Sequence, residues 1–378
     1  MSDNSDPGDV YRALGVRPGI HAGGTTTIFG GTKLRPEAME AMRKASAVMV
    51  HMDELNAAAG KVLAEATGAE AAMVSSGAAG GLVLQAAAVM AGSEPAKMAQ
   101  LPDATGLRSE FVIQATHRFS YDQCYRAAGG TLVSVGDGKG AKAWQVEAAI
   151  NERTAALVHL VSPFSSTRAL PVEEMAEIAH SHDVPLLVDA ASTVPPRSNL
   201  RRFIAAGADM VQYSGGKGIR GPQGTGILCG RADLIEAAYA NASPHPFIGR
   251  GLKVAKEEIV GLVTALGVFL DQDEEAENRR YREMSQTVVD ALIEVPGITP
   301  TVKHDSRDYL IPISVAKLNS DWDGPSRDRI LELALEGDPP VYLFHLGELD
   351  EFGVDPMNID DDELEIVIER LREVLLGR

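Results

Sequence analysis

The run Asp209-Met210-Val211-Gln212-Tyr213-Ser214-Gly215-Gly216-Lys217-Gly218-Ile219-Arg220-Gly221-Pro222-Gln223-Gly224-Thr225-Gly226 decides how the rest of the chain is read. Its apolar opening, Met210 to Tyr213, reads as a buried strand. The turn after it is built mostly of glycine, with Ser214 and Lys217 among its few side chains. Glycine lets backbone approach a ligand closely and permits positive φ. A lysine left alone on such a turn is placed to reach a bound molecule. The spacing is not that of a phosphate-binding P-loop, and Lys217 is not followed by Ser or Thr. Two readings stand on these residues alone. One is a hairpin turn with a solvated lysine. The other is a lysine that forms a Schiff base, with Ser214 three residues earlier available to a phosphate.

Outward from this run, apolar strands alternate with helices. Ala71-Ala72-Met73-Val74 reads as a strand that enters Ser75-Ser76-Gly77-Ala78-Ala79-Gly80-Gly81 and then an apolar helix, Leu82 to Met90. That small-residue turn is either an anion site at a helix N-terminus or a tight helix packing. Phe111 to Gln114 is a strand that leads to His117, Arg118, Tyr121 and Asp122. Leu132 to Val135 is another, and Ala155 to Val161 runs into Ser162-Pro163-Phe164-Ser165-Ser166. Val184 to Val188 is wholly apolar and ends at Asp189, with Ser192 and Thr193 read as helix caps. Ile227 to Cys229 closes the series. Continuously apolar strands between helices predict a mostly parallel α/β sheet covered on both faces. Ligands of such sheets lie beyond the carboxyl ends of the strands. Ser76-Gly77, His117, Asp189 and Lys217 each follow an apolar strand, so they converge there.

Pro36 marks a helix start, with Glu37 and Glu40 in its first turn, and Leu55 to Ala66 a second helix closed by Gly68. Before them, Met1 to Asp9 reads as a disordered acidic start, and His21-Ala22-Gly23-Gly24-Thr25-Thr26-Thr27 as part of an extended arm with turns and no helix. After Asn241 the composition shifts. A loop carries Arg250 and Lys253, and one long helix is expected from Lys256 to about Arg280. Strands at Asp308–Val315 and Val341–His345 and helices at Arg327–Glu336 and Asp361–Leu376 complete a smaller domain. The expected division is therefore residues 1–45 as arm and first helix, 46–255 as the large domain, and 256–378 as linker helix and small domain.

A hydrophobic content of 45% is ample for such a core. The balance of 35 basic against 53 acidic residues, −18 in net charge, repels nucleic-acid backbones and acidic membranes, so neither is an expected partner. Two cysteines give no disulfide framework and suit a reducing cytosol. The N-terminus has no apolar core of a signal peptide, and no apolar run reaches membrane-spanning length. The expected location is cytoplasmic.

An aspartate at one strand end and a lysine on a later turn match the needs of pyridoxal 5'-phosphate. Lys217 offers an amine to the aldehyde. Asp189 offers a buried carboxylate that keeps the pyridine nitrogen protonated. Ser76, Gly77, Ala78 and Ser214 offer donors to the phosphate. His117 offers a flat partner for the ring, with Tyr121, otherwise a packing residue, as runner-up. No metal ligand set is read from the chain.

Val188-Asp189-Ala190-Ala191, Gly207-Ala208-Asp209 and Tyr213-Ser214-Gly215-Gly216-Lys217-Gly218-Ile219-Arg220-Gly221-Pro222-Gln223 resemble the selenocysteine-synthase-like (SelA-like) branch of fold-type-I pyridoxal-phosphate enzymes. L-seryl-tRNA(Sec) selenium transferase and D-glucosaminate-6-phosphate ammonia-lyase belong to that branch. Thr67 to Ala72, Ser76-Gly77-Ala78, His117-Arg118, Gly249-Arg250 and Gly337-Asp338-Pro339-Pro340 look like it too. The resemblance implies Lys217 as the Schiff-base lysine, Asp189 against the ring nitrogen, His117 over the ring, and a homodimer or an assembly of dimers. It implies an ammonia-lyase-type enzyme that eliminates across the α- and β-carbons of a hydroxylated amino acid or amino-sugar acid. Arg250, Arg220 and Thr27 are the candidate substrate residues, with Lys253 a further cation beside them. Racemase, aldolase and aminotransferase chemistry share the same cofactor linkage and are the alternatives. The acidic charge and the short N-terminus argue against tRNA as substrate.

Overall fold

The computed structural model of the protein describes residues 6–162, 168–345 and 348–377. Its strands, in chain order, are β1 (Ile20–Ala22), β2 (Ala71–Ser76), β3 (Glu110–Gln114), β4 (Thr131–Val135), β5 (Thr154–Leu160), β6 (Leu186–Asp189), β7 (Met210–Ser214), β8 (Thr225–Gly230), β9 (Ile298–Lys303), β10 (Ile313–Leu318), β11 (Val341–Leu343) and β12 (Glu351–Val354). Of the stretch expected to end the fifth strand, Pro163 to Ser166 lie outside the described residues, as do Met1 to Ser5.

Two compact units share the chain. One holds Leu34–Gln272, the other Met1–Lys33 with Asp273–Arg378. In the first, seven strands form one sheet in the order β2-β8-β7-β6-β5-β3-β4. β3 to β7 pair in parallel, and β8 runs antiparallel to both β7 and β2. The α/β, mostly parallel fold expected of a fold-type-I enzyme is what the chain adopts.

Side chains alternate across this sheet, as the period of two requires. Leu157, Leu186, Val188, Val211 and Tyr213 face one apolar layer, with Leu63, Met175, Phe203 and Leu262 from covering helices. Val158, Leu187, Met210 and Leu228 face the other, with Leu82, Leu84, Tyr125 and Ile235. Polar side chains on these strands are thus confined to the strand ends or carry a specific contact.

The second unit has an antiparallel sheet, β12-β10-β9, and a parallel pair, β1 with β11. Helices Glu274–Leu292, Arg327–Glu336 and Asp361–Leu376 pack on them through Val288, Leu292, Ile330, Val367 and Leu371. This division differs from the expected boundaries at 45 and 255. The helices Pro36–Ser46 and Lys256–Asp271 lie in the first unit, where Ala38, Ile259, Leu262 and Phe269 share one apolar layer. The single helix expected over 256–280 is two. Asp273 ends the run by capping the second, its Oδ1 accepting the amide of Ala276 at 3.0 Å. The chain also forms a short helix, Asp9–Arg12, directly after the N-terminal start, and a 3₁₀ turn, Thr27–Phe29, in the arm.

Candidate active site

The carboxyl ends of β6 and β7 bring Asp189 and Lys217 together. Between β7 and β8 the glycine turn is closed by backbone hydrogen bonds from Gly215 to Thr225 and from Gly221 to Gly215, both 2.9 Å. The run does join antiparallel neighbours, β7 and β8, as a hairpin would, but the lysine on the wide turn is part-buried and not merely solvated. Glycine is required at position 218, where a Cβ would stand 2.2 Å from the carbonyl oxygen of Val194.

The Lys217 amine donates to Ser192 Oγ at 2.5 Å. Burial lowers its pKa from the ordinary lysine value, and the charge of Asp189 opposes that shift. Asp189 is 4% exposed. Burial raises its pKa, against a hydrogen bond from the Ala191 amide to Oδ1 and the charge of Lys217. Each group is pushed toward neutrality by desolvation and held charged by the other. The second carboxylate oxygen of Asp189 has no hydrogen-bond partner among the described residues. An acceptor left open at a strand end fits a protonated ring nitrogen.

His117, in a 3₁₀ turn after β3, is 1% exposed. Its Nδ1 accepts the Leu160 amide at 3.3 Å, which puts the proton on Nε2. Burial pulls the imidazole down to about 4, so the ring is neutral at ordinary pH. Nε2 has no partner among the described residues.

Ser76 ends β2, and Gly77 begins a helix that runs to Ala91. Gly77 has a φ of +61° and open space where a Cβ would stand, but its own amide, expected to face a phosphate, donates to the Gly224 carbonyl at 2.8 Å. Ser214, 8% exposed, is the last residue of β7. A small-residue helix start together with a part-buried lysine and a buried aspartate fits a phosphate-bearing aldehyde.

The expected substrate residues are placed less uniformly. Arg220 lies on the lysine turn with a φ of +59°, its amide donating to the Lys217 carbonyl at 2.8 Å. Arg250 and Lys253 are exposed on the loop before the helix Lys256–Asp271. Thr27 is exposed and belongs to the other unit. Tyr121 is 57% exposed, with its ring edge-on to Phe119 at 5.7 Å. A cleft of about 860 Å³ lies away from this site. It opens at the amino ends of the strands, against Ala155, Val184, Pro185 and Arg231.

Two residues of the site were not singled out from the sequence as ligand-facing. Ser192 was read as a cap, yet its hydroxyl meets Lys217. His159 sits inside β5 with its ring 4.4 Å from that of His117. A histidine inside an otherwise apolar strand was the available signal.

The sequence profile of SelA, L-seryl-tRNA selenium transferase, matches residues 32–293. A 5'-C-glycyluridine monooxygenase-decarboxylase from a Streptomyces species is 34% identical, over 97% of this chain and 92% of that protein. The D-glucosaminate-6-phosphate ammonia lyase of Salmonella typhimurium is 30% identical, over 97% of this chain and 98% of its own length. A solved structure of a D-glucosaminate-6-phosphate ammonia-lyase superposes with a TM-score of 0.86 at 30% identity, covering 100% of this chain and 99% of that one. The chain belongs to the SelA family and is a pyridoxal-phosphate-dependent lyase of fold type I.

Proposed function

We propose that the enzyme eliminates water across the α- and β-carbons of a hydroxylated amino acid or amino-sugar acid, giving a 2-keto acid and ammonia. The water lost on elimination returns on hydrolysis, so only ammonia is released overall. The observation that carries this reading is the part-buried amine of Lys217 beside the buried carboxylate of Asp189, both displaced toward neutrality by desolvation. The bound cofactor supplies an electron sink conjugated to the substrate's α-carbon. Asp189 would hold the ring nitrogen through its open oxygen. His117 would face the ring, and Ser76, Ala78 and Ser214 would hold the phosphate. Lys217, its pKa lowered by burial, takes the α-proton as a neutral amine, with Ser192 Oγ as a resting partner when that amine is protonated. Arg250, exposed and with no side-chain partner among the described residues, would meet the substrate's anionic group, with Arg220 as a further candidate.

Among the described residues no helix is long and apolar enough to cross a membrane. We place the enzyme in the cytoplasm as a homodimer or an assembly of dimers, acting on a small molecule and not on nucleic acid, in keeping with its net charge of −18.

The test is a panel of hydroxylated amino acids and amino-sugar acids given to the cofactor-loaded enzyme without a keto-acid acceptor. Keto acid and ammonia in equal amounts, lost in Lys217→Ala, are expected. Turnover that needs an added keto acid would make the enzyme an aminotransferase. A second reading, oxidative decarboxylation of an α-amino acid attached to a nucleoside, is favoured by the 34% identity to the monooxygenase-decarboxylase. Oxygen uptake with carbon dioxide release, and no ammonia-lyase turnover, would decide for it.

A further inference from the structure

His159 is 5% exposed in the middle of the large sheet, on β5 opposite Val188 of β6. Its Nδ1 is buried with no hydrogen-bond partner, and Nε2 has none among the described residues. A buried polar group without a partner is a net cost to the fold, and a leucine or phenylalanine would fill a strand position without it. The specific contact that the ring does make is with His117: centroids 4.4 Å apart, planes at 76°. That is an edge-to-face pair, the arrangement that aromatic quadrupoles favour. His117 is held at one further point, by the Leu160 amide on Nδ1. At 3.3 Å that bond is longer than usual and restrains the ring's rotation about Cβ–Cγ only weakly. A second ring against its side removes that freedom.

We propose that His159 is a positioning residue: its ring fixes the plane that His117 turns toward the cofactor ring. Leu160, the next residue on the same strand, supplies the hydrogen bond to Nδ1, so β5 sets both the tautomer and the orientation of His117. This rests on the reading of His117 as the ring partner of the cofactor.

The experiment compares wild type, His159→Leu, His159→Phe and His117→Ala, each loaded with pyridoxal phosphate. Circular dichroism of the cofactor's visible band reports ring orientation, and cofactor retention and urea unfolding are measured on the same samples. His159→Leu is expected to change the band and to weaken cofactor retention about three- to tenfold, the range for loss of one edge-to-face contact. Its urea midpoint should not fall. His159→Phe keeps the contact and should keep the wild-type band. An unchanged band in His159→Leu, or a band in His159→Phe altered as much as in His117→Ala, overturns the proposal. If His117→Ala itself leaves the band unchanged, the reading of His117 fails instead. His159→Leu and His159→Phe decide independently, so one of them folding suffices.

Discussion

Replacing His117 by asparagine should remove a specific part of the enzyme's acid sensitivity. An asparagine amide oxygen stands near the place of Nδ1, so the variant keeps an acceptor for the Leu160 amide but does not titrate. In the folded protein burial lowers the pKa of His117 from 6.5 to about 4. Between those values the unfolded chain binds more protons than the folded one. His117 therefore contributes stability above pH 6.5 and loses it as the pH falls toward 4. At about 1.4 kcal/mol per pKa step the full displacement is worth about 3 kcal/mol, of which about 2 kcal/mol is lost between pH 7 and pH 5. His159 is displaced in the same direction, by burial first and by His117 second, so the replacement removes only the second part of its shift. Asp355 runs the other way. Burial raises its pKa to about 6, so it contributes stability at low pH that is lost as the pH rises through 6. It belongs to the other unit and is common to both proteins, so it cancels in the comparison. The assay is urea unfolding of both proteins at pH 7 and pH 5, at fixed protein and cofactor concentration. Wild type should lose about 2 kcal/mol more than His117→Asn between the two. Equal losses would show that His117 takes up a proton without leaving its site, and the desolvation argument would be wrong.

Ser192→Ala removes an acceptor from the Lys217 amine and should shift the pH midpoint of cofactor uptake by the apo-protein downward. An unchanged midpoint would show that the hydroxyl does not set the amine's basicity. Gly81→Ala places a Cβ 1.6 Å from Gln212 Oε1, whose side chain also reaches Ser75 and the Tyr213 carbonyl. It should cost about 3 kcal/mol or more in chemical unfolding, and a loss under about 1 kcal/mol would mean that the helix Gly77–Ala91 moves freely on the sheet. Tyr213→Phe removes an O–H that donates to the carbonyls of Asn199 (2.9 Å) and Leu200 (3.1 Å). A loss of about 1–2 kcal/mol is expected, with cofactor binding unchanged; weakened binding would place Tyr213 in the site.

The turn around Lys217 was legible because its chemistry is local. An apolar strand, glycines that only a close approach explains, and one amine stand within a few residues. Asp189 was legible for the same reason, as a charge closing an apolar strand. Ser192 was not, because capping and ligand contact ask for the same small hydroxyl, and only the fold shows which partner it meets. The helix break at Asp273 was hidden in an acidic run that continues helical spacing on both sides. The return of the chain to its second unit after Gln272 was hidden too. It depends on β1 pairing with β11, a contact between residues some three hundred positions apart, which no local period announces.

The polar groups in the first unit do not follow the economy of the rest of its core. Gln212 and Tyr213 are buried with their hydrogen bonds made inside the protein. Among the described residues Asp189 keeps one carboxylate oxygen, and His117 one ring nitrogen, without a protein hydrogen-bond partner. Desolvation moves both pKa values toward the neutral form. A sheet with leucine and valine at the neighbouring positions could have avoided both. That it does not, at strand ends and beside an amine whose own pKa is lowered, is what a site completed by a bound molecule requires. The cofactor of this enzyme, pyridoxal phosphate, brings a protonated ring nitrogen and a flat face to such a site.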